Sequence, residues 1–387
     1  MLELWERLCA LPHRGTASAF ERLAAKLLRD HLESLGHTVQ TQTFKAPRSY
    51  GPELVLVGSL LALGGWFSLW WLSLVGVYGF WAHFSGWWTP WERLLNRYSS
   101  QNLLVLGERE AGRGRQEAKS IEDEEPASTL TSPPSTLDNS PPGTRNPAPR
   151  TLLLMAHYDT AKTFLIYGPA FVRQFRINFL FNAAFATVLP FACFLRVVPQ
   201  LIGVYFLFQV VLLVHRELTQ PYVNGANDNA SGVAVATQLF HELSLSPQPG
   251  LRPMLALTGA EEVLTKGAEH LARSGLVPPD ALVLNIDNVG KGELFYATGE
   301  GMLVFHPYKG ELLERAKATP GAKGLEYRLA YFDTLPFAAR GNPCLTLIRL
   351  REGLPPNWHW PTDRPENVDW TAVEETLAYA RALVRQL

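Results

Sequence analysis

The stretch Tyr222-Val-Asn-Gly-Ala-Asn-Asp228-Asn-Ala-Ser-Gly232 crowds small and amide residues around a single acid. Directly after it, Val233, Ala236, Leu239, Phe240 and Leu243 recur at helical spacing, so Asp228 is expected on a tight loop at a helix start. An acid there can simply cap the helix. Other segments point elsewhere. Thr151 to Ala156 is a short apolar run ending in His157-Tyr158-Asp159, Leu255 to Thr258 ends in Gly259-Ala260-Glu261-Glu262, and Leu282 to Ile286 ends in Asp287. Each reads as a buried parallel strand whose carboxyl end delivers a His, Glu or Asp, which is where open α/β sheets hold their sites. The fold class expected is α/β, with a mixed, largely parallel central sheet flanked by helices.

With Trp358-His359-Trp360 added, His157, Asp228, Glu262, Asp287 and His359 can converge on one crevice. Five nitrogen and oxygen ligands with no cysteine among them suit one or two zinc ions or a similar divalent metal. Two neighbouring cations need a shared carboxylate, and Asp228, flanked by small residues, can supply both oxygens. Asp159, two residues past His157 on an extended chain, points to the same side and can accept the other ring N–H of that histidine. Of the pair Glu261 and Glu262, one can bind metal while the other stays free to take a proton from water.

These residues carry a resemblance. His157-x-Asp159, Asn-Asp228-Asn-Ala-Ser-Gly, Gly-Ala-Glu261-Glu262, Asn-Ile-Asp287-Asn-Val-Gly and Trp-His359, in that order, resemble the family-28 zinc aminopeptidases. The resemblance implies two zinc ions per chain, with His157 and Asp287 on one, Glu262 and His359 on the other, and Asp228 between them. It also implies that Glu261 is the general base, that Asp159 is the orienting acid, and that the N-terminal peptide bond is hydrolysed by a metal-activated water. Substrates would be peptides or proteins with a free N-terminus.

At 387 residues the chain is amply long for a large core, and its net charge of −1 gives no electrostatic reason to expect nucleic acid. Cys9, Cys193 and Cys344 are scattered and odd in number, and read as reduced, buried thiols. Acids Glu3 and Glu6 stand where a secretory leader needs a basic region, so no signal peptide is expected. Ala17 to Leu35 has an amphipathic helix pattern stopped by Gly36, and Val39 to Phe44 alternates like a strand.

Two insertions set this chain apart. Leu54 to Trp91 contains no Asp, Glu, Lys or Arg and holds seven of the eleven tryptophans. One crossing of the hydrocarbon layer needs about 20 residues, so this length suits two short helices or one span with an interfacial segment. Ile177 to Leu195 and Val197 to Val214 are two further uncharged runs separated by Arg196, with Pro190 and Pro199 inside them, and read as a transmembrane hairpin. Between the insertions, Glu108 to Arg150 has seven prolines, no aromatic residue and an acidic run, and is expected to be a disordered loop. The expected organisation is a peptidase domain assembled from 1–50, 93–107, 151–160 and 219–387. It is interrupted by a membrane insertion at 51–92, the loop at 108–150 and a membrane hairpin at 161–218.

All five ligands must lie on one side of a bilayer, so each insertion is expected to leave and return on that side. The second rejoins just before Asp228, which places the site close to the lipid surface. Arg48, Arg93, Arg97, Arg173, Arg176 and Arg216 flank the apolar runs on the peptidase side against Arg196 alone on the other, favouring an integral membrane protein with a cytoplasmic peptidase domain.

Two departures from the family pattern complete the reading. Tyr331-Phe-Asp333-Thr-Leu-Pro-Phe337 aligns with a family stretch that shapes the substrate pocket, but Thr334 stands where His is usual. Tyr331 and Asp333 are the substrate-binding candidates, Tyr331 as a donor to a developing oxyanion. The Trp before His359 resembles the glutaminyl-peptide cyclotransferases, one-zinc enzymes that cyclise rather than hydrolyse. A non-catalytic membrane scaffold of the same fold is the remaining alternative.

Overall fold

The computed structural model describes residues 1–106 and 149–387; the stretch read above as a disordered loop lies almost wholly outside them. Helices α1 (Leu2–Cys9) and α2 (Ala19–Ser34) come first. The Ser18 hydroxyl accepts the Glu21 N–H at 3.1 Å to start α2, and Gly36, at φ +87°, ends it in the left-handed region that glycine enters freely. Among the described residues the nine strands are β1 (Gln40–Ala46), β2 (Tyr98–Val105), β3 (Arg150–His157), β4 (Leu251–Thr258), β5 (Leu282–Asp287), β6 (Glu293–Glu300), β7 (His306–Pro307), β8 (Lys323–Tyr327) and β9 (Cys344–Leu350). They form one sheet of order β1-β2-β4-β3-β5-β9-β6-β7, with β8 beside β6.

The centre of the sheet is parallel: β3 lies between β4 and β5, and β5 pairs with β9. Antiparallel β1, β2 and β6 extend it on either side. Burial explains the composition. Leu152 to His157 and all of β5 are buried on both faces, so these strands are unbroken apolar runs rather than alternating ones. Helix α7 (Gly232–Leu245) packs over β3, β4 and β5, and α8 (Trp370–Val384) covers α7.

The apolar insertions leave this core and meet each other. The first forms α3 (Gly51–Trp66) and α4 (Trp70–His83), the second α5 (Phe175–Ala192) and α6 (Val198–Thr219). Helix α6 lies along α3 at close range. A Cβ on Gly203 would come 2.7 Å from the Trp66 nitrogen, and one on Gly65 would come 2.5 Å from the Pro199 carbonyl oxygen. Close approach through small residues is how helices pack where apolar surroundings offer no hydrophobic drive. Helix α4 packs against the other side of α3, and Trp81 on α4 donates to Thr187 on α5 at 3.0 Å.

Helices α5 and α6 are long and apolar enough to cross a membrane by length and composition; α3, at 16 residues, is shorter. Their outward faces are bare hydrocarbon: Phe181 is 53 %, Phe191 72 % and Leu201 65 % exposed. A contiguous apolar surface of this kind is unusual where only water covers it. At its base the bundle is pinned to the sheet domain. The second insertion leaves and returns through one antiparallel bridge at Lys162 and Tyr222, with Thr163 N–H donating to the Pro221 carbonyl and Val223 N–H to Ala161, each at 2.9 Å. Arg216 is fully buried there, donating to Ser49 Oγ at 2.9 Å with its guanidinium 4.2 Å from the centre of the Tyr50 ring. Arg176 donates to the Met302 and Arg328 carbonyls at 2.6 and 3.0 Å. Arg173 pairs with Glu352, Arg97 donates to the Leu94 carbonyl and Arg48 stacks on Tyr98, so most of the arginines in the orientation argument have structural partners.

Candidate metal centre

Three parallel strands end at one crevice, as their sequences suggest. His157 closes β3, Asp287 closes β5, and the Glu261–Glu262 turn follows β4. The loop Gly225–Ser231 enters from α6 and leads into α7. Gly225 sits at φ +75°, and a Cβ there would come 2.8 Å from Arg14 Nη2, so the loop can close over that guanidinium only with glycine. The Asp228–Asn229 peptide is cis.

Asp228 stands in the middle with one carboxylate oxygen toward each histidine: Oδ1 is 3.3 Å from His157 Nε2, and Oδ2 is 3.4 Å from His359 Nε2. His157 Nε2 is also 3.5 Å from Asp287 Oδ1, and His359 Nε2 is 3.0 Å from Glu262 Oε2. All five expected ligands therefore come together. Glu261 stands beside them, its Oε2 3.9 Å from His157 Nε2. One ligand atom each from His157, Asp228 and Glu262 falls within 4.8 Å of the others.

The residues behind this cluster hold it in place. Asp159 Oδ2 accepts from Thr16 Oγ1 at 2.6 Å, and its two oxygens take the Glu261 and Glu262 backbone N–H groups at 3.0 and 3.3 Å. Its carboxylate is 3.6 Å from His157 Nδ1, and its own backbone carbonyl, at 3.3 Å, is nearer. Asp159 thus fixes the glutamate turn at least as directly as it does the histidine. Arg14, fully buried, donates to the carbonyls of Tyr158, Asn224 and Gly225 at 2.7 to 2.8 Å and ties β3 to the Asp228 loop. Asn229 spans from that loop to the end of β5, donating to Ile286 O at 2.9 Å and accepting from Asn288 N–H at 3.1 Å.

The charge balance of the cluster fits metal. Burial alone would push Asp228 up, but hydrogen bonds and charge from His157 and His359 hold its carboxyl well below the usual range. Burial works against a charged His359, and Glu262 and Asp228 outweigh it, lifting the ring to about 10. His157 stands well above its ordinary value because Glu261 and Asp287 likewise overcome its burial. A divalent cation among these groups would answer the same carboxylates and hold both imidazoles as neutral ligands. Glu262 Oε1 and His359 Nδ1 are buried with no hydrogen-bond partner, so the site holds unspent ligand capacity. With no sulfur donor present, this set suits zinc.

Three residues beyond the sequence reading join the site. Asp363, on the loop after His359, accepts the backbone N–H groups of Asn227 and Asp228 at 2.7 and 3.1 Å. An acid four residues past His359, in Pro-Thr-Asp-Arg-Pro, was the available signal. Tyr167, from the second insertion, packs its ring edge-to-face on His359 at 4.6 Å. Tyr327 ends β8 at the cavity wall. Burial pushes its hydroxyl well above the usual range, and the charges of Asp287, Asp228 and Glu261 add to this, so it stays a donor.

The two substrate-binding candidates lie differently. Tyr331 lines the cavity, but its hydroxyl donates to the Phe84 carbonyl at the end of α4 rather than toward the carboxylates. Asp333 is buried behind Glu261, accepting from Thr258 Oγ1, with its other oxygen unpartnered. Burial raises it to about 7, partly offset by His157.

The chain is similar to known proteins in sequence and in fold. Residues 140–384 match the model of peptidase family M28. A search of curated proteins finds no match. Among solved structures, BSAP, a zinc aminopeptidase from Bacillus subtilis, is similar over 99 % of this chain and 93 % of its own, at 13 % identity and a TM-score of 0.56. A leucine aminopeptidase precursor from Bacteroides thetaiotaomicron is similar over 100 % and 95 %, at 12 % identity and 0.53. A glutaminyl cyclase from Tannerella forsythia is similar over 100 % and 97 %, at 13 % identity and 0.55. At these identities the likeness is one of fold, shared by hydrolases and cyclases.

Proposed function

Because the chain belongs to peptidase family M28, we propose that it is a membrane-associated zinc aminopeptidase that hydrolyses the first peptide bond of substrates with a free N-terminus. The observation that carries this reading is Asp228, whose two oxygens face two separate histidine–carboxylate pairs, His157 with Asp287 and His359 with Glu262. A one-ion site has no use for that symmetry. Zinc at these residues would act as a Lewis acid on the scissile carbonyl and would offset the charge of the carboxylates.

The chain's own groups supply the rest. Glu261 is raised well above an ordinary carboxyl, first by burial and then, against the pull of His157, by Glu262 and other neighbouring acids. It takes the proton of the attacking water as the C–O bond forms and returns it to the leaving nitrogen as the C–N bond breaks. Asp159 keeps the Glu261–Glu262 turn in position through its two backbone contacts. Tyr327 offers a hydroxyl at the cavity wall for the developing oxyanion, in place of the committed Tyr331.

The bare faces of α5 and α6 support membrane insertion, and the arginines flanking the bundle support a cytoplasmic sheet domain. A second reading, a one-zinc glutaminyl-peptide cyclotransferase, is favoured by Trp358, which packs beside His359 and against Tyr167 at 4.8 Å. Zinc stoichiometry on detergent-purified protein, paired with amino-acid release from unblocked peptides, separates the readings. Two ions with N-terminal release support the aminopeptidase. One ion with pyroglutamate formation from N-terminal Gln peptides replaces it with the cyclase, and neither metal nor turnover leaves a scaffold.

A further inference from the structure

The cavity that reaches the metal cluster continues into the helix bundle. Its volume is about 490 Å³, and it passes from Asp228, Glu262 and His359 to walls made by Leu61 of α3, Phe80 of α4, Phe179 of α5 and Phe206 of α6. The bundle order explains why it exists. Helix α6 lies on α3, α3 on α4, and α4 on α5, so α5 and α6, consecutive in the chain, each pack more extensively on the first insertion than on each other. Their side chains meet where the Phe185 and Tyr205 rings pack edge-to-face at 5.1 Å. On the sheet side of that contact the cavity separates them.

The walls of this opening are not purely apolar. Asn178 and Asn182 on α5, and Tyr205 and Gln209 on α6, line the cavity one helical turn apart on each helix. The Tyr205 hydroxyl interacts with the side chains of both Gln209 and Asn182, bridging the opening. All four sit in helices whose other faces are phenylalanine, leucine and valine. Polar groups at such positions cost free energy unless something pairs with them, and in membrane helices they mark substrate paths.

Resting on the aminopeptidase reading above, we propose that the gap between α5 and α6 is a lateral entry through which an apolar peptide segment passes from the bilayer to the metal centre. The Asn178, Asn182, Tyr205 and Gln209 strip pairs with the N–H and C=O groups of the residues that follow the scissile bond. A peptide in hydrocarbon must satisfy its backbone groups, and amide side chains both donate and accept. An acyl chain entering the gap would part Tyr205 from Asn182 and offer neither a new partner, whereas a peptide backbone replaces what it displaces, so the occupant is a peptide rather than a lipid amide.

The test uses the full chain in liposomes with four substrates: leucyl-p-nitroanilide, an unblocked leucine-rich hexapeptide, a serine- and glutamine-rich hexapeptide with the same N-terminal Leu, and N-dodecanoyl-leucine. The leucine-rich peptide is expected to exceed the polar one in kcat/KM by at least ten-fold, because its leucines concentrate it in the bilayer from which the gap is entered, each leucine that leaves water being worth about 1.5–3 kcal/mol. Equal rates on the two hexapeptides, or faster hydrolysis of N-dodecanoyl-leucine, would overturn the inference. No hydrolysis of leucyl-p-nitroanilide would instead remove the aminopeptidase reading itself. Asn182→Cys with Gln209→Cys, joined by a reducible thiol cross-linker, is expected to lose at least ten-fold on the leucine-rich peptide and regain it on reduction. The native cysteines are buried and do not compete. If the joined enzyme cleaves that peptide as fast as the reduced one, the gap is not the entry.

Discussion

Asp363 grips Asp228 from behind: its two carboxylate oxygens accept the backbone N–H groups of Asn227 and Asp228, at 2.7 and 3.1 Å, while the Asp228 side chain faces the histidines. Asp363 touches no ligand atom of the cluster in these contacts, yet it sets where the central carboxylate stands. Asp363→Asn exchanges one acceptor oxygen for a donor facing a donor. Outer partners of metal ligands typically contribute 10–100-fold in affinity, and a loss of about that size is expected. Zinc titration against a competing chelator measures it, and an unchanged affinity would show that the loop holds Asp228 unaided.

Glu261 lies next to the ligand set but is not required to hold an ion. Glu261→Gln is expected to keep the zinc content of the parent and lower kcat by about 10²–10⁴-fold, the range for removing a general base. Metal analysis and turnover on the same preparation test both halves. Near-normal kcat would assign the base elsewhere; lost metal would make Glu261 a ligand.

Leu207 is on the outward face of α6 and 52 % exposed. The parent protein is expected to stay with membranes after alkaline carbonate extraction. Leu207→Lys should sharply reduce the inserted fraction, because a lysine near the centre of a span costs about 2.5–3.5 kcal/mol on insertion scales, whereas Leu207→Phe should be neutral. Release of the parent by carbonate would sink the membrane assignment.

Glu300 is a buried acid remote from the ligand atoms, accepting from Tyr308 and Thr334 hydroxyls at 2.6 and 2.7 Å. Burial pushes it up to about 7, with those bonds and the Phe332 N–H offsetting part of the rise. A carboxyl raised on folding favours the native state fully below its unfolded value near 4.5 and loses that contribution as pH climbs through about 7. The loss between pH 5 and 8 is on the order of 3 kcal/mol. Glu300→Gln cannot ionise, so the stability difference between parent and variant should shift in the variant's favour across that range. Thermal unfolding in detergent at the two pH values reads it, and parallel curves would contradict the assignment.

The sheet and the ligand set were legible because both are written locally. A parallel strand buried on two faces is an apolar run, and a residue delivered at its end must be the next one in the chain, as with His157 after Met155-Ala156 and Asp287 after Asn285-Ile286. The insertions were legible for the same reason, since an uncharged run of this length is a property of consecutive residues. Helix ends moved by a few positions, as in α6, which continues past Val214 to Thr219.

Asp363, Arg14 and Tyr327 were not legible as site residues, because what identifies them is a partner far along the chain. Arg14 reaches Asn224 and Gly225 across more than 200 residues, and no local pattern records that contact. The same limit applied to Tyr331, whose position in an aligned stretch suggested a donor, while the fold placed the Phe84 carbonyl against its hydroxyl. The sequence by itself determined the strands, the ligand types and the presence of two apolar insertions, all short-range consequences of burial and spacing. Only the tertiary structure decided that α6 would lie chiefly on α3 and touch α5 only lightly. That choice rests on Gly65 and Gly203 meeting backbone to backbone, and it leaves the metal centre open between α5 and α6.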